Sequence, residues 1–276
     1  MSKIILFLIL CSVFTHSFSQ TIDINTAVKL ANQGDLNAQK ALAKLYYKGE
    51  KVEKDYKKAF EWLSKAANQG DMNSQYIIAQ IYYHGIEVEK DYKKAFEWFS
   101  KAANQGDTKA KNTLFYMYYN GEGIEKNYPK AFELLNELVI QGDADAQYTL
   151  GSMHYHGNNV EQDFKKAFIL FNNSALKGNV EAKYNVGGMY GNGLGVEQDY
   201  RKALNFLGEA AREGHLDAQY SLGWMYRYGV GTPIDLKKAF YWFDKSANKG
   251  NSQSQFMLAE MYNQGVGVIK NYNLAN

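Results

Sequence analysis

A glycine that returns at a constant interval is the feature of this sequence that most limits how the chain can fold. The interval is 36 residues, no insertion breaks it, and it is marked by Gly34, Gly70, Gly106, Gly142, Gly178, Gly214 and Gly250. A fixed period of roughly 20 to 50 residues is typical of solenoids, in which one supersecondary unit stacks on the next. Any binding function is therefore expected on a surface that several repeats build together.

Each repeat has the pattern of two helices joined by a short polar loop, as the copy from Asp71 to Gly106 shows. In its first half the apolar and small residues recur at helical spacing, and Gly85 follows them where a helix can end in a left-handed residue. Asp91 then offers a side-chain oxygen that can cap the first amides of a second helix. The sequence therefore predicts a helix-turn-helix unit in every repeat.

One set of residues marks each repeat and is most complete between positions 218 and 250. It consists of Ala218, Leu222, Gly223, Tyr226, Gly229, Gly231, Asp235, Lys238, Ala239, Trp242, Phe243, Ala247 and Gly250. These motifs resemble those of the Sel-one-like repeat family, a branch of the tetratricopeptide-type helical repeats. The resemblance implies an all-α fold, a right-handed α/α superhelical solenoid of helix-turn-helix repeats with a 36-residue period. It also implies a protein that binds other macromolecules and catalyses no reaction.

The chain divides into a leader and a series of repeats. We assign a signal peptide to 1–19, an N-terminal half repeat to 20–34, six full repeats to 35–250 and a partial seventh repeat to 251–276. The leader has an early lysine, an apolar run from Ile4 to Leu10 and a small residue, Ser19, at the expected cleavage site. This pattern predicts an exported protein, periplasmic or secreted. Lipidation of Cys11 is a rival interpretation, which the bulky Leu10 before it disfavours.

The charges nearly cancel, with 31 Lys and Arg against 29 Asp and Glu. A nucleic-acid binder would be more basic, so we expect no nucleic acid partner. We also expect no membrane span, because no segment has the roughly 18 apolar residues that one needs. Before most second helices an aspartate precedes a lysine by three residues, as at Asp199 and Lys202. We interpret these pairs as helix caps; acidic residues such as Glu197 oppose the alternative of a lysine ladder for an anionic polymer.

Motifs for catalysis and metal binding are incomplete. Ser174 and Ser246 each begin a Ser-x-x-Lys motif, but they lie where other repeats have core alanines, and the companion motifs of penicillin-recognising enzymes are absent. His154 and His156 are two residues apart, so on a helix they would point away from each other. We predict that the protein is not an enzyme and has no catalytic residue, no cofactor and no metal site.

Aromatic residues are concentrated on one face of the first helices. Counted from the residue after the closing glycine, repeat positions 3, 6, 10 and 13 share this face, and in related solenoids the first helices line the concave side. The aromatic residues at these positions include Tyr76, Tyr83, Tyr116, Tyr119, Tyr148, Tyr155, Tyr184, Tyr220, Trp224 and Phe256. Tyrosine and tryptophan offer a large contact area at low entropic cost, which favours a recognition groove. The alternative is that the rings only pack on one another between repeats.

The fifth repeat lacks two side chains on this face, because Gly188 and Gly191 occupy positions 10 and 13. We predict a hollow there and assign the binding site to Tyr148, Tyr155, Tyr184, Gly188, Gly191, Tyr220, Trp224 and Arg227. Arg227 is expected to pair with an acidic group on a ligand whose apolar part stacks on Trp224. The alternative is a frayed helix end, since Gly191 adjoins the loop.

These observations leave three functional hypotheses from different classes. The first is an exported scaffold or adaptor that binds a protein or peptide partner in the aromatic groove. The second is a protein that binds cell-wall glycan, because stacked aromatic rings also suit the faces of sugars. The third is a hydrolase, for which no pair of acid and base groups is identifiable.

A separate expectation concerns packing at Gly151, a position that is alanine in some other repeats. The third repeat carries Leu138 and Val139 where other repeats have alanines. We expect Gly151 to make room for one of these bulky side chains.

Overall fold

The computed structural model describes residues 23–271 and residue 273, and the predicted signal peptide lies outside this part of the chain. Helices follow one another through the described residues, without a strand among them. They are α1 (Ile24–Asn32), α2 (Leu36–Lys48), α3 (Tyr56–Asn68), α4 (Met72–His84), α5 (Tyr92–Asn104), α6 (Thr108–Asn120), α7 (Tyr128–Ile140), α8 (Ala144–His156), α9 (Phe164–Leu176), α10 (Val180–Asn192), α11 (Tyr200–Arg212), α12 (Leu216–Tyr228), α13 (Leu236–Ala247) and α14 (Ser252–Gln264). The protein is an all-α solenoid of helix-turn-helix repeats, as the sequence predicts.

Polar caps and left-handed glycines set the ends of the helices. The carboxylate of Asp71 accepts a hydrogen bond from the Ser74 amide at 2.9 Å at the start of α4, and that helix ends at Gly85 with a φ of 65°. The carboxylate of Asp91 accepts from the Lys94 amide at 2.9 Å at the start of α5. These bonds satisfy amides that have no partner within their helix, so the predicted cap residues determine where both helices begin.

A buried glutamine, which the sequence analysis missed, ties several first helices to the second helix before them. The side-chain amide of Gln219 donates to the carbonyl oxygen of Ala211 at 2.9 Å, and Gln75 makes the same bond to Ala67 at 3.1 Å. The accepting carbonyls lie in the last turn of a helix, and each also accepts a backbone amide just beyond it, from Gly214 at 3.1 Å for Ala211 and from Gly70 at 3.0 Å for Ala67. The glutamine therefore adds a second bond at the helix end and joins consecutive repeats.

The expectation for Gly151 is wrong. A Cβ atom at this position would lie 2.9 Å from the ring of Phe171 and 3.2 Å from the Cβ of Leu170, both on α9 of the same repeat. Phe171 is fully buried and fills the space that a side chain at Gly151 would occupy. The glycine therefore accommodates the phenylalanine of its own repeat, not Leu138 or Val139.

The chain forms two compact units, one that ends at Leu138 and one that begins at Val139. Helices α8 to α14 belong to the second unit, which contains every residue of the predicted hollow. Its core includes alanines from the first and the second helices of its repeats, together with the fully buried rings of Phe171 and Phe243. This second unit carries the candidate site.

Candidate functional site

The predicted site residues lie on three first helices of the second unit. They are Tyr148 and Tyr155 on α8, Tyr184, Gly188 and Gly191 on α10, and Tyr220, Trp224 and Arg227 on α12. An ion pair between Arg227 and Glu260 joins position 13 of one repeat to position 10 of the next. Tyr155 and Gly188, and likewise Gly191 and Trp224, occupy the same pair of repeat positions.

The two glycines of the fifth repeat leave open space on this face. A Cβ atom at Gly188 would meet no neighbouring heavy atom within 4 Å, and one at Gly191 would meet only the Cβ of Ala203 at 3.8 Å. Helix α10 continues through both residues and ends at Gly193, whose φ is 67°. It has 13 residues, as α8 and α12 do, so the glycines lie within a full-length helix and not in a frayed end.

Other glycines of this repeat have a local reason to be glycine. A Cβ atom at Gly187 would lie 2.7 Å from Cγ of Leu207, so close packing between α10 and α11 requires its absence. Gly193 takes the left-handed conformation that ends the helix. Gly188 and Gly191 have neither the close contact nor the positive φ. Nothing in the packing of the described residues explains why these two positions lack a side chain.

Three tyrosines of the site, Tyr148, Tyr155 and Tyr220, are half-buried and pack within their own repeats. The Tyr148 ring lies 5.6 Å from the Phe171 ring, and the Tyr155 ring lies 5.3 Å from the Phe164 ring, measured between centroids. Tyr220 lies 5.9 Å from Phe243. These contacts stabilise each repeat, so packing explains why one side of each ring is buried. The partners are phenylalanines of the same repeat, whereas the packing interpretation expected aromatic rings of neighbouring repeats.

Tyr184 joins two consecutive repeats. Its ring stacks on the imidazole of His215, with centroids 4.4 Å apart and planes 21° apart. Nδ1 of His215 also accepts a hydrogen bond from the Ala218 amide at 3.2 Å, so this histidine caps α12. Burial raises the pKa of the Tyr184 hydroxyl, and the nearby Asp217 and Tyr155 raise it further. The hydroxyl is therefore a neutral phenol at physiological pH, able to donate a hydrogen bond.

Among the aromatic residues of the predicted site, Trp224 is the most exposed. It is 42% exposed, and its ring lies 5.0 Å from that of Tyr228, which is 50% exposed. The sequence analysis missed Tyr228 because it occupies position 14, one residue beyond the face that was considered. The two rings form an exposed apolar pair at the C-terminal end of α12.

Arg227 does not have the role that the sequence predicted. Its side chain is only 10% exposed, and Nη1 lies 3.3 Å from Oε2 of Glu260. The guanidinium group also lies 5.5 Å from the Tyr228 ring. Because its charge is already paired and largely shielded from solvent, Arg227 holds α12 against α14 and lies against the Tyr228 ring. The expectation that it pairs with an acidic ligand group is corrected.

Three acidic side chains border the same face and were also missed. Asp145, Glu181 and Asp217 occupy position 3 of consecutive repeats and are all exposed. The side-chain amides of Asn179 and Asn251 donate to Asp145 and Asp217 at 2.9 and 3.3 Å, which holds these two carboxylates in place. Position 3 belongs to the predicted face, so the charge of these three residues could have been recognised from the sequence. The prediction used only the aromatic residues of that face.

The aspartate and lysine pairs before the second helices are caps, as interpreted. Asp199 accepts from the Lys202 amide at 2.9 Å, and this bond is the main cause of the lowered pKa of its carboxyl group. The Lys202 ammonium group lies 5.2 Å from the centre of the Tyr190 ring, so the lysine covers an aromatic face. The pairs therefore have a structural function.

The described residues also bear on metal binding and membrane insertion. Within 23–271 and 273, no three His, Cys, Asp or Glu side chains are grouped so that they could hold a metal ion. No helix in this part of the chain combines the length and the apolar character required to cross a membrane.

The fold and the exposed aromatic face together define a helical-repeat protein of the solenoid class. The family model described as Sel1 repeat matches residues 36–71, 73–107, 109–143, 144–179, 180–215, 216–251 and 252–276. The chain therefore belongs to the Sel1 repeat family, as its motifs indicate. Proteins of this family are generally scaffolds for protein interactions and generally have no catalytic activity.

Solved structures include similar solenoids. One is c5321, a protective antigen of uropathogenic Escherichia coli strains with an SLR fold; it is 29% identical with a TM-score of 0.83, and the match covers 99% of this chain and 59% of c5321. Another is a Sel1 repeat protein from Oxalobacter formigenes, 26% identical with a TM-score of 0.72 over 92% of this chain and 96% of that one. This chain thus spans about 59% of the length of c5321. Among curated proteins, none matches the chain.

Proposed function

We propose that the protein is an exported, non-catalytic scaffold that binds a protein or peptide partner on the face formed by α8, α10 and α12. Membership of the Sel1 repeat family supports the general role. The observation that carries the assignment of the site is the open space above Gly188 and Gly191. On the neighbouring first helix, α12, the exposed ring of Trp224 offers the contact area of a binding anchor.

The two glycines support a binding role because stability alone would favour other residues. A glycine inside a helix destabilises it by ~1 kcal/mol relative to alanine. At Gly188 an alanine would meet nothing in the surrounding structure, so the fold offers no compensation for the glycine. A ligand that approaches the backbone of α10 closely does provide a reason, since a side chain at position 10 would fill the space that it occupies.

The chemistry of the face favours a polypeptide with basic and apolar side chains. Asp145, Glu181 and Asp217 give one edge a negative charge, and the rings of Trp224 and Tyr228 lie exposed at another. Lysine and arginine pair with carboxylates and also stack on aromatic faces. A neutral glycan would use the rings but gain little from the acidic row, so we favour the peptide over the glycan.

The test begins with selection of peptides from a phage-displayed random library on the immobilised protein. The affinity of the selected peptide is then measured by calorimetry for the wild type, Trp224→Ala and Gly188→Leu. We expect each substitution to weaken binding about tenfold or more, because one removes the anchor and the other fills the hollow. Tyr116→Ala is the matched control, since Tyr116 occupies the same repeat position in the first unit and is 40% exposed.

Unchanged affinity in both site variants, with the folded state verified by circular dichroism, would remove the hollow as the binding site. A second arm screens the wild type and Trp224→Ala on a glycan array. Retention of glycan that depends on Trp224, without any selected peptide, would replace our proposal with the glycan hypothesis.

Export is proposed from the leader sequence, whose lysine, apolar run and small residues have the order found in secretory signals. Expression of the full chain in a bacterial host should give a mature protein that begins at Gln20 and is found outside the cytoplasm. Intact-mass measurement of the purified protein checks the cleavage site. A cytoplasmic protein that retains its leader would contradict the proposal.

A further inference from the structure

A second candidate site lies in the first unit, away from the face described above. A cavity of about 470 Å³ that is partly open to solvent is lined by residues of α2, α3, α4 and the loop that follows α4. Leu63 and Ile81 are among the buried apolar residues that form its floor, and Tyr56 and Phe60 contribute rings to its walls. Its size falls within the range of roughly 300 to 1,000 Å³ that is typical of small-molecule sites.

One residue of the loop distinguishes this repeat from most later ones. In the third, fifth, sixth and seventh repeats the corresponding loop position is a glycine that packs against the first residue of the preceding second helix, whereas the first and fourth repeats have Lys51 and Asn159. A Cβ atom at Gly123 would lie 2.6 Å from the carbonyl carbon of Tyr92, and one at Gly231 would lie 2.6 Å from the carbonyl oxygen of Tyr200. Such distances are shorter than any real contact, so only glycine allows the loop to pack this closely.

Glu87 occupies this position in the second repeat, and it has a positive φ of 60°. Because Glu87 has a Cβ atom, its loop cannot approach Tyr56 as Gly123 approaches Tyr92. Glu87 and Tyr56 both border the cavity.

Exposure of an alanine shows that core surface is accessible here. Ala59 lines the cavity and is 7% exposed. The alanines at the same position of the later second helices are only 0 to 1% exposed: Ala95, Ala131, Ala167, Ala203 and Ala239. The core surface that is covered in those helices is thus accessible at the cavity.

The lining indicates the class of ligand. The floor offers no partner for a charge, and a buried unpaired charge is strongly unfavourable. Lys57 and Glu61 also border the cavity, so both signs of charge are present at the surface of α3. An apolar cavity of this kind takes up apolar molecules more readily than water. We propose that the cavity binds a small, uncharged molecule with an aromatic body.

The test uses N-phenyl-1-naphthylamine, an uncharged aromatic probe whose fluorescence increases in apolar surroundings. We expect saturable binding of one probe molecule per wild-type chain. Glu87→Gly should allow the loop to close the cavity, and Ala59→Met should fill it from the wall, so each should weaken binding about tenfold or more. Glu89→Gly is the matched control: it makes the same exchange two residues later, outside the lining, and should bind as the wild type does.

Circular dichroism first establishes which variants are folded, and Ala59→Met decides alone if Glu87→Gly is not. Loss of binding in the folded cavity variants, with binding retained in Glu89→Gly, would support the proposal. No saturable binding by the wild type would overturn it. Unchanged affinity in a folded cavity variant would also overturn it, because the probe would then be bound elsewhere. The site on α8, α10 and α12 would be unaffected by either result.

Discussion

Replacing two adjacent glycines of α10 by alanine should change stability in opposite directions. Alanine stabilises a helix interior by ~1 kcal/mol relative to glycine, and this term is common to both positions. At Gly188 the new methyl group meets nothing within 4 Å, so the gain should be realised in full. At Gly187 the new Cβ atom would lie 2.7 Å from Cγ and 3.2 Å from the backbone nitrogen of Leu207. Overpacking of this kind destabilises by ~1 to 3 kcal/mol.

The helix term cancels when the two variants are compared with each other. The free energy of unfolding of Gly188→Ala should therefore exceed that of Gly187→Ala by ~1 to 3 kcal/mol, with Gly188→Ala also more stable than the wild type. Urea unfolding followed by far-ultraviolet circular dichroism measures both variants and the wild type under the same conditions. Equal stabilities, or the reverse order, would refute the reasoning that only Gly187 has a packing requirement for glycine.

Three further substitutions test other parts of the account. Gln219→Leu removes the donor to the Ala211 carbonyl, which keeps the Gly214 amide as a partner, and should lower the free energy of unfolding by ~0.5 to 1.5 kcal/mol in urea titrations; no loss would mean that the glutamine tie is not stabilising. Gly231→Ala should lower the melting temperature by several degrees, because a Cβ atom there would lie 2.6 Å from a carbonyl oxygen; an unchanged melt would contradict the close approach of the loop. The pKa of Asp199 is lowered in the folded state, so its contribution to stability is present above its ordinary pKa of 3.8 and is lost as the pH falls through the folded value. Asp199→Asn keeps the cap without titrating, so melts at about pH 7 and about pH 3 should show a smaller acid effect than in the wild type; an equal effect would exclude this carboxyl as a source of acid sensitivity.

Local signals made the fold predictable from the sequence. The 36-residue glycine period fixed the repeat, and residues such as Asp91 and Gly85 act within a few positions of themselves, so their roles as caps are independent of the rest of the chain. The buried glutamines were missed because their partners are carbonyl groups of another helix. A glutamine at position 5 gives no local sign that its amide will reach back to the preceding repeat.

The candidate site was predictable in position but not in all of its chemistry. Helical spacing assigned Trp224 and the glycines of α10 to one face, and the structure places these residues within the full-length helices α10 and α12. The role of Arg227 was mistaken because Glu260, 33 residues later, takes its charge, and that pairing depends on how consecutive repeats are aligned. The packing reason for Gly151 was likewise missed, since Phe171 reaches it from the second helix of the same repeat.

The central claim is that a polypeptide binds across α8, α10 and α12. Hydrogen–deuterium exchange with mass spectrometry, recorded with and without the selected peptide, tests this most directly, because it locates the contact without any substitution. The account predicts slower exchange in segments that contain Tyr155, Gly188 and Trp224, and unchanged exchange around Tyr116 in the first unit. Slower exchange confined to the first unit, with none in these three helices, would contradict it.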